Sequence, residues 1–103
     1  MNIEERVQVA VLIKYYGKLL TDRQQTILEM YVDNNLSLQE VSEELGISRQ
    51  AVKDALDTAL QTLNSTEEKL CFVARDEKLK NIIEDTKQID TMTKLQLIAL
   101  LEE

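Results

Sequence analysis

The hydrophobic positions of this chain repeat at helical spacing, and nowhere do they alternate over a strand-length run. Because residues three and four apart share one face of an α-helix, this pattern predicts helices and no sheet. The most informative stretch is residues 37–63, where two short helical patterns lie on either side of a single glycine. The sequence therefore predicts an all-α protein with a central helix-turn-helix.

The central stretch has helix start and stop signals in the order that this motif requires. Ser37 and Glu40 form a capping box, Gly46 can take the left-handed conformation that ends a helix, and Ser48 is a second N-cap. The first helix is predicted to be buried at Leu38, Val41, Ser42 and Leu45, and the second at Ala51, Val52, Ala55, Leu56, Ala59, Leu60 and Leu63. Two helices joined in this way form a helix-turn-helix, with an ordinary hairpin in a bundle as the alternative.

The residues before this motif predict two further helices. The first runs from Ile3 to Leu20 with an apolar stripe of Ile3, Val7, Ala10, Val11, Leu12, Tyr15 and Leu19. A capping box of Thr21 and Gln24 opens the second, which ends in the turn-forming residues 33–35. Of the adjacent tyrosines 15 and 16, one is expected in the core and one half-exposed. A stacking platform for a nucleic-acid base is the alternative.

The residues after the motif predict a C-terminal helical extension. Asn64–Thr66 is expected to interrupt the fourth helix, which divides the chain into a helix-turn-helix domain at residues 1–64 and an extension at residues 65–103. One long helix is predicted from Thr66 to about Ile89, followed by a shorter one at Lys94–Leu101. The last helix is too apolar to stay in solvent, so we expect it to pack on the core or to form a homodimer.

Composition excludes several classes of function. The chain has no histidine, no pair of cysteines and no glycine-rich phosphate loop, so we expect no enzyme activity, no metal and no cofactor. The single Cys71 lies among apolar neighbours and is interpreted as a packing residue. No apolar run approaches the length of a membrane span, and the acidic N-terminus is unlike a signal peptide. We therefore expect a cytoplasmic protein.

The candidate nucleic-acid-binding residues lie at the starts of the two helices of the motif. In a helix-turn-helix, the N-terminal residues of the second helix reach base edges in the major groove. Arg49 suits guanine, Gln50 suits adenine and Lys53 suits a phosphate. The full candidate set is Ser37, Gln39, Ser48, Arg49, Gln50 and Lys53. A net charge of −7 and the nearby Asp54 and Asp57 oppose phosphate binding, so we expect weak DNA binding or none.

Several segments resemble one bacterial family. Residues 16–21 (YGKLLT) with Gln24, residues 36–38 (LSL), residues 46–52 (GISRQAV) with Asp54, and residues 68–70 (EKL) are similar to the YlxM-type proteins of Gram-positive bacteria. The trihelical part also resembles region 4 of bacterial sigma factors. The resemblance implies a sigma-like helix-turn-helix core with a C-terminal helical extension.

The resemblance also implies a function. Members of this family are encoded beside the GTPase of the signal recognition particle and are associated with that targeting pathway. The first hypothesis is an accessory protein of the pathway that binds the particle's GTPase or its RNA. The alternative is a transcriptional regulator that binds DNA through the second helix of the motif.

Overall fold

All the regular secondary structure in the described residues is helical. The computed structural model describes residues 1–85 and 90–102 of the chain. Six α-helices occur there: α1 (Ile3–Tyr16), α2 (Asp22–Leu28), α3 (Leu38–Leu45), α4 (Arg49–Leu70), α5 (Phe72–Asp85) and α6 (Thr91–Glu102). The predicted all-α class is confirmed.

The contacts within the chain divide it into two compact units. The first unit is Met1–Leu70 and the second is Cys71–Glu103. We refer to them as the helix-turn-helix unit and the C-terminal unit. The predicted division into a helix-turn-helix domain at residues 1–64 and an extension at residues 65–103 remains a prediction.

The helix-turn-helix unit is built around α4, against which α1, α2 and α3 all pack. Its buried apolar side chains are Val9, Tyr16, Leu20, Ile27, Leu28, Val32, Val41, Val52, Leu56, Ala59 and Leu63. Four of these lie along α4 at helical spacing and form the stripe predicted for its inward face. Close packing of this stripe by three other helices determines which side of α4 remains in solvent.

Helix α1 differs from the prediction in its end and in its buried face. It ends at Tyr16, and Gly17–Leu19 forms a short 3₁₀ turn instead of a continuation to Leu20. The buried positions are Val9 and Tyr16, whereas Ile3 is 79% exposed. The predicted burial of Ile3, Val7 and Leu19 is therefore wrong. Helix α1 is apolar around most of its circumference, so periodicity alone does not select the face that packs.

The interpretation of the two tyrosines is confirmed. Tyr16 is 3% exposed and Tyr15 is half-buried, with ring centroids 6.0 Å apart. The Tyr16 hydroxyl donates a hydrogen bond of 2.6 Å to Glu67 Oε1, which ties α1 to the end of α4. A buried ring held in this way belongs to the core and does not serve as a stacking platform.

Helix α2 begins as predicted and ends in a wider turn. Both bonds of the Thr21–Gln24 capping box are present. Residues Glu29–Asp33 form a π-helical turn, and the Asn34 amide donates to the Glu29 carbonyl over 3.1 Å. Asn35 then takes a left-handed conformation with φ of 56°. The Arg6 guanidinium donates to the Asn35 side chain and so ties α1 to the loop that leads into α3.

The predicted break at Asn64–Thr66 is wrong, because α4 continues to Leu70. The hydroxyls of Ser65 and Thr66 both donate to the Thr62 carbonyl, at 3.3 and 2.6 Å. Bonds to a preceding carbonyl let these residues stay inside a helix instead of capping a new one.

The chain breaks instead at Cys71, which has a left-handed φ of 55° and an exposed side chain. Its interpretation as a packing residue is therefore wrong. The single helix predicted from Thr66 to about Ile89 is wrong as well, since α4 ends and α5 begins on either side of Cys71. Residue Ile89 itself lies outside the described residues.

The C-terminal unit is formed by α5 packed on α6. Helix α6 begins at Thr91, three residues before the predicted Lys94, because the Asp90 carboxylate caps it by accepting a 2.8 Å bond from the Thr93 amide. Lys80 Nζ lies 2.7 Å from Glu102 Oε1 and joins the two helices. No apolar side chain is buried in the part of this unit that the structure describes.

Candidate nucleic-acid interface

The helix-turn-helix has the local geometry that its capping residues predict. Ser37 Oγ accepts from the Glu40 amide at 3.1 Å, and the Glu40 carboxylate accepts from the Ser37 amide at 3.1 Å. Gly46 ends α3 with φ of 67°, a conformation that costs glycine little. Ser48 Oγ then accepts from the Ala51 amide at 3.0 Å and starts α4. Both predicted helices of the motif are thereby confirmed.

The packing of this motif leaves the predicted outward face in solvent. Val41 of α3 and Val52 of α4 are fully buried, and Leu56 is 6% exposed. Because these side chains point into the core, the residues on the other side of α4 must face outward. All six candidate residues are exposed, namely Ser37, Gln39, Ser48, Arg49, Gln50 and Lys53.

The structure brings three of the candidates together around one surface depression. Arg49, Gln50 and Lys53 line it from α4, and Leu38 lines it from α3. Leu38 was assigned only to the core in the sequence interpretation, yet it is half-buried and also forms part of this surface. Leu38 is the first residue of α3, and a residue at the end of an apolar stripe lies at the edge of the core. This position could have indicated from the sequence that its side chain also reaches the surface.

Two of these three side chains are held by carboxylates of their own helix. Gln50 Nε2 donates to Asp54 Oδ1 over 2.8 Å, and Lys53 Nζ lies 3.0 Å from Asp57 Oδ2. The hydrogen bond that Lys53 donates to Asp57, together with the negative charge of that carboxylate, raises the pKa of Lys53 above its usual value. Both pairs follow the i, i+4 spacing at which helical side chains meet, so the sequence contained the signal for them.

Arg49 differs from its two neighbours. Within the part of the chain that the structure describes, its guanidinium has no hydrogen bond or ion pair. It lies in the first turn of α4, at the end of the helix that enters the major groove in DNA-bound proteins of this type. Arg49 is therefore the candidate whose donors are available to a ligand without loss of an existing bond.

The candidates outside this depression are bonded within their own segments. Gln39 Nε2 donates to Glu43 Oε1 at 3.0 Å. The oxygens of Ser37 and Ser48 accept the capping bonds, so each serine keeps its hydroxyl hydrogen for a ligand. These three residues can contact a phosphate backbone only as additional donors.

The electrostatic character of the motif is acidic. Residues 37–63 contain five carboxylates and two cationic side chains. Both contacts are exposed and therefore weak, so a ligand can displace Asp54 from Gln50 or Asp57 from Lys53, but the carboxylate stays close to the bound molecule. A phosphate placed here would be repelled, whereas a basic protein surface would be attracted.

Residues 1–85 and 90–102 show neither a metal-ligating cluster nor a membrane-spanning helix. No group of three or more side chains with metal-ligating atoms comes together there. None of the helices combines the length and the apolar character that crossing a membrane requires.

The capped α3, the glycine turn and the exposed first turns of α4 define a helix-turn-helix protein. The chain matches over residues 3–102 the model of the UPF0122 family, described as "Putative helix-turn-helix protein, YlxM / p13 like". It therefore belongs to that family, and the family resemblance seen in its sequence is confirmed.

Individual relatives agree with this assignment. The chain is 40% identical over 89 residues to a UPF0122 protein of Desulforamulus reducens, a match that covers 85% of this chain and 76% of the relative. It is 46% identical over 80 residues to one of Caldanaerobacter subterraneus, covering 78% and 68%. It is 38% identical over 90 residues to one of Mycoplasma capricolum, covering 85% and 80%.

Proposed function

We propose that this protein is a cytoplasmic accessory component of the signal recognition particle pathway that acts by binding and not by catalysis. The pathway comes from the family resemblance, whose members are encoded beside the particle's GTPase. The mode of action comes from the exposed face of α3 and α4. In this proposal, the face contacts a basic surface of the particle's GTPase.

One observation carries the choice of a protein partner over a nucleic acid. Of the three side chains suited to DNA in the depression, Gln50 and Lys53 are already held by Asp54 and Asp57. These carboxylates would lie beside the phosphate backbone of a bound duplex, and Glu43 and Glu44 are exposed on α3 as well. Proteins that bind DNA usually present a basic face, which this motif does not.

Charge complementarity gives the proposed contact its chemical basis. An RNA-binding protein carries basic surfaces, and an acidic helical face steers toward them and fixes their orientation. Such a contact forms quickly at low salt and weakens as salt screens the charges. It requires no cofactor and no change in the covalent structure of either partner.

Nucleic-acid binding through α4 is the second candidate function, favoured by the unpartnered and exposed Arg49. A guanidinium can form a bidentate contact with guanine, worth about 1–3 kcal/mol of discrimination. The ligand would be the RNA of the particle or a DNA site, and the net charge of −7 predicts weak binding.

The test is fluorescence anisotropy with three labelled ligands: the particle's GTPase, its RNA, and random duplex DNA of the same length as the RNA. Each is titrated with the protein at several salt concentrations. If the proposal is right, the GTPase binds and the affinity falls when Asp54 and Asp57 are both changed to asparagine. Saturable binding of RNA or DNA with no binding of the GTPase would contradict it.

Arg49→Ala separates the two candidate functions, with Lys18→Ala as a matched control. Lys18 is an exposed cation of the same unit outside the motif. If α4 binds nucleic acid, loss of Arg49 weakens affinity by about 1–3 kcal/mol while loss of Lys18 has little effect. Equal effects of the two changes would show that only total charge matters.

A further inference from the structure

A second concave surface lies in the helix-turn-helix unit, away from the predicted interface. It is formed by the end of α1, the 3₁₀ turn with the residue that follows it, the second half of α2, and the π-helical turn. Its lining residues are Ile13, Gly17, Leu20, Gln25, Leu28, Glu29 and Asp33. We call it the α1–α2 groove. None of the six candidate residues of the helix-turn-helix lines it, so the groove is a surface separate from the candidate nucleic-acid interface.

The floor of the groove is apolar and firmly packed. Leu28 is 1% exposed and Leu20 is 5% exposed, so both are fixed in the core. Gly17 is buried beside them, and a Cβ at this position would come within 3.2 Å of Ile13 Cγ2. The Gln25 side chain donates to the Leu20 carbonyl at 3.1 Å and holds the wall on that side.

The rim of the groove is acidic. Glu29 and Asp33 lie four residues apart, both are exposed, and both belong to the π-helical turn. Within the described part of the chain, neither carboxylate has a hydrogen bond or an ion pair. Like charges at this spacing destabilise a helix by about 0.2–0.5 kcal/mol. A cation between them would remove that penalty.

The size of the groove limits what can occupy it. Its volume is about 210 Å³. Pockets that enclose drug-sized molecules measure about 300–1,000 Å³, so this groove suits a single side chain better than a free small molecule. An apolar floor with an acidic rim complements one kind of side chain, which has an aliphatic stem and a cationic head.

We propose that the α1–α2 groove docks an arginine or lysine side chain of a partner polypeptide. The aliphatic stem packs against the half-buried Ile13, above the buried Leu20 and Leu28, and the cationic head bonds to Glu29 and Asp33. Arginine fits better, because its planar guanidinium donates to two carboxylates at once. The groove thus gives the protein a second contact for a basic partner, on a surface separate from the exposed face of α4.

The experiment uses the full chain, labelled with ¹⁵N, and the tripeptide Leu-Arg-Leu with both ends blocked. Amide shifts are followed by nuclear magnetic resonance at 150 mM salt. A second tripeptide has citrulline in place of arginine and so keeps the shape without the charge. We expect saturable shifts at Gly17, Glu29 and Asp33 with the arginine peptide and far smaller ones with citrulline.

The variant E29Q/D33N removes both rim charges and nearly preserves side-chain shape. Its two sites are exposed, so the fold should persist, and the spectrum reports this directly. We expect the dissociation constant for the arginine peptide to rise about five- to tenfold, as for the loss of exposed ion pairs. The control E77Q/E84Q removes the same charge from exposed positions of α5, outside both proposed surfaces, and should leave the constant unchanged.

Two results would overturn the proposal. One is binding of the citrulline peptide as tight as that of the arginine peptide, which would show that the rim charges have no role. The other is an equal loss of affinity in E29Q/D33N and in E77Q/E84Q, which would show general attraction to an acidic protein. Neither result depends on the signal recognition particle, so the proposed function is tested separately.

Discussion

The two units of the chain use their apolar residues in different ways. In the helix-turn-helix unit, α1 to α4 surround an internal core in which Ile27 and Leu63 have no exposed surface. In the described part of the C-terminal unit, no apolar side chain is buried, and Ile82, Leu95 and Leu100 are 56%, 59% and 64% exposed. Helix α6 is nevertheless rich in apolar residues, which occupy seven of its twelve positions.

This difference shows that hydrophobic content and core formation are separate properties. A helix buries its apolar residues only if other elements surround it, and within the described part of its own unit α6 has one helix to pack on, α5. The first unit therefore obtains its stability from its own core. The exposed apolar side chains of the second unit are typical of a surface that another molecule covers. The predicted homodimer through these helices remains a prediction.

The largest effect is expected from a cavity in the core of the first unit. Leu63→Ala should lower the free energy of unfolding by about 2–5 kcal/mol, because Leu63 is fully buried between packed helices. The matched change Leu95→Ala, at an exposed site of α6, should cost the monomeric chain at most about 0.5 kcal/mol. Urea denaturation followed by circular dichroism measures both. Similar losses for the two variants would contradict the distinction between the units.

The next prediction concerns the exposed face of the second unit. If two copies associate through α6, changing Leu95 and Leu100 to lysine should weaken the dimer by at least about tenfold, since each leucine loses about 1.5–3 kcal/mol of burial. Sedimentation of the wild-type and variant chains measures the association. A wild-type chain that sediments as a monomer at high concentration would show that the face is not a dimer interface.

A smaller effect is expected at the turn of the helix-turn-helix. Gly46→Ala should destabilise the first unit by about 1–2 kcal/mol, because alanine is strained at the φ of 67° found there. The control Ala51→Gly lies in the first turns of α4, where glycine costs about 1 kcal/mol for a different reason. Thermal unfolding compares them. Substitution of Gly46 by asparagine, which tolerates the left-handed region, should recover part of the loss.

The cap of α6 predicts a pH dependence in the second unit. The hydrogen bond from the Thr93 amide lowers the pKa of Asp90 below its usual value of 3.8. A carboxyl group whose pKa is lowered by folding stabilises the folded state at pH values above its pKa in the unfolded chain. This stabilisation is lost as the pH falls through its pKa in the folded state. The protection of the Thr93 amide from exchange, relative to an unfolded chain at the same pH, should therefore fall below pH 3.8. In Asp90→Asn, which caps without titrating, this fall should be absent.

The smallest effect is expected at the Lys53–Asp57 pair, which is exposed on α4. Folding raises the pKa of Lys53, so the ion pair stabilises the folded state fully at pH values below 10.5, the pKa of lysine in the unfolded chain. This stabilisation is lost as the pH rises through the pKa of Lys53 in the folded state. In Asp57→Asn, the Lys53 pKa should fall toward 10.5, as followed by resonance of the side-chain nitrogen. An unchanged pKa would show that Asp57 does not hold this lysine in solution.

The residues with direct local signals were predicted correctly from the sequence. Ser37, Gly46 and Ser48 start and end the helices of the motif where the capping rules place them. The exposure of Arg49, Gln50 and Lys53 followed from the buried stripe of α4. The intrahelical bonds of Gln50 and Lys53 were not predicted, although their spacing allowed it.

Other features could not be read from local signals. Ser65 and Thr66 resembled a helix start, but their hydroxyls bond back to Thr62 and α4 continues. The inward face of α1 could not be chosen by periodicity, because apolar residues lie around most of that helix. The α1–α2 groove was also hidden, since its lining comes from several elements within residues 13–33 that enclose a groove only when α1 packs on the π-helical turn after α2.

By itself, the sequence determined the all-α class and the helix-turn-helix at residues 37–63, because capping and periodicity act over a few residues and need no distant partner. The family was indicated by the segments that resemble the YlxM-type proteins. Tertiary packing decided which side of α1 is buried and that Glu29 and Asp33 border an apolar groove. Both features depend on contacts between different helices. Such contacts stabilise the fold only after the helices have come together.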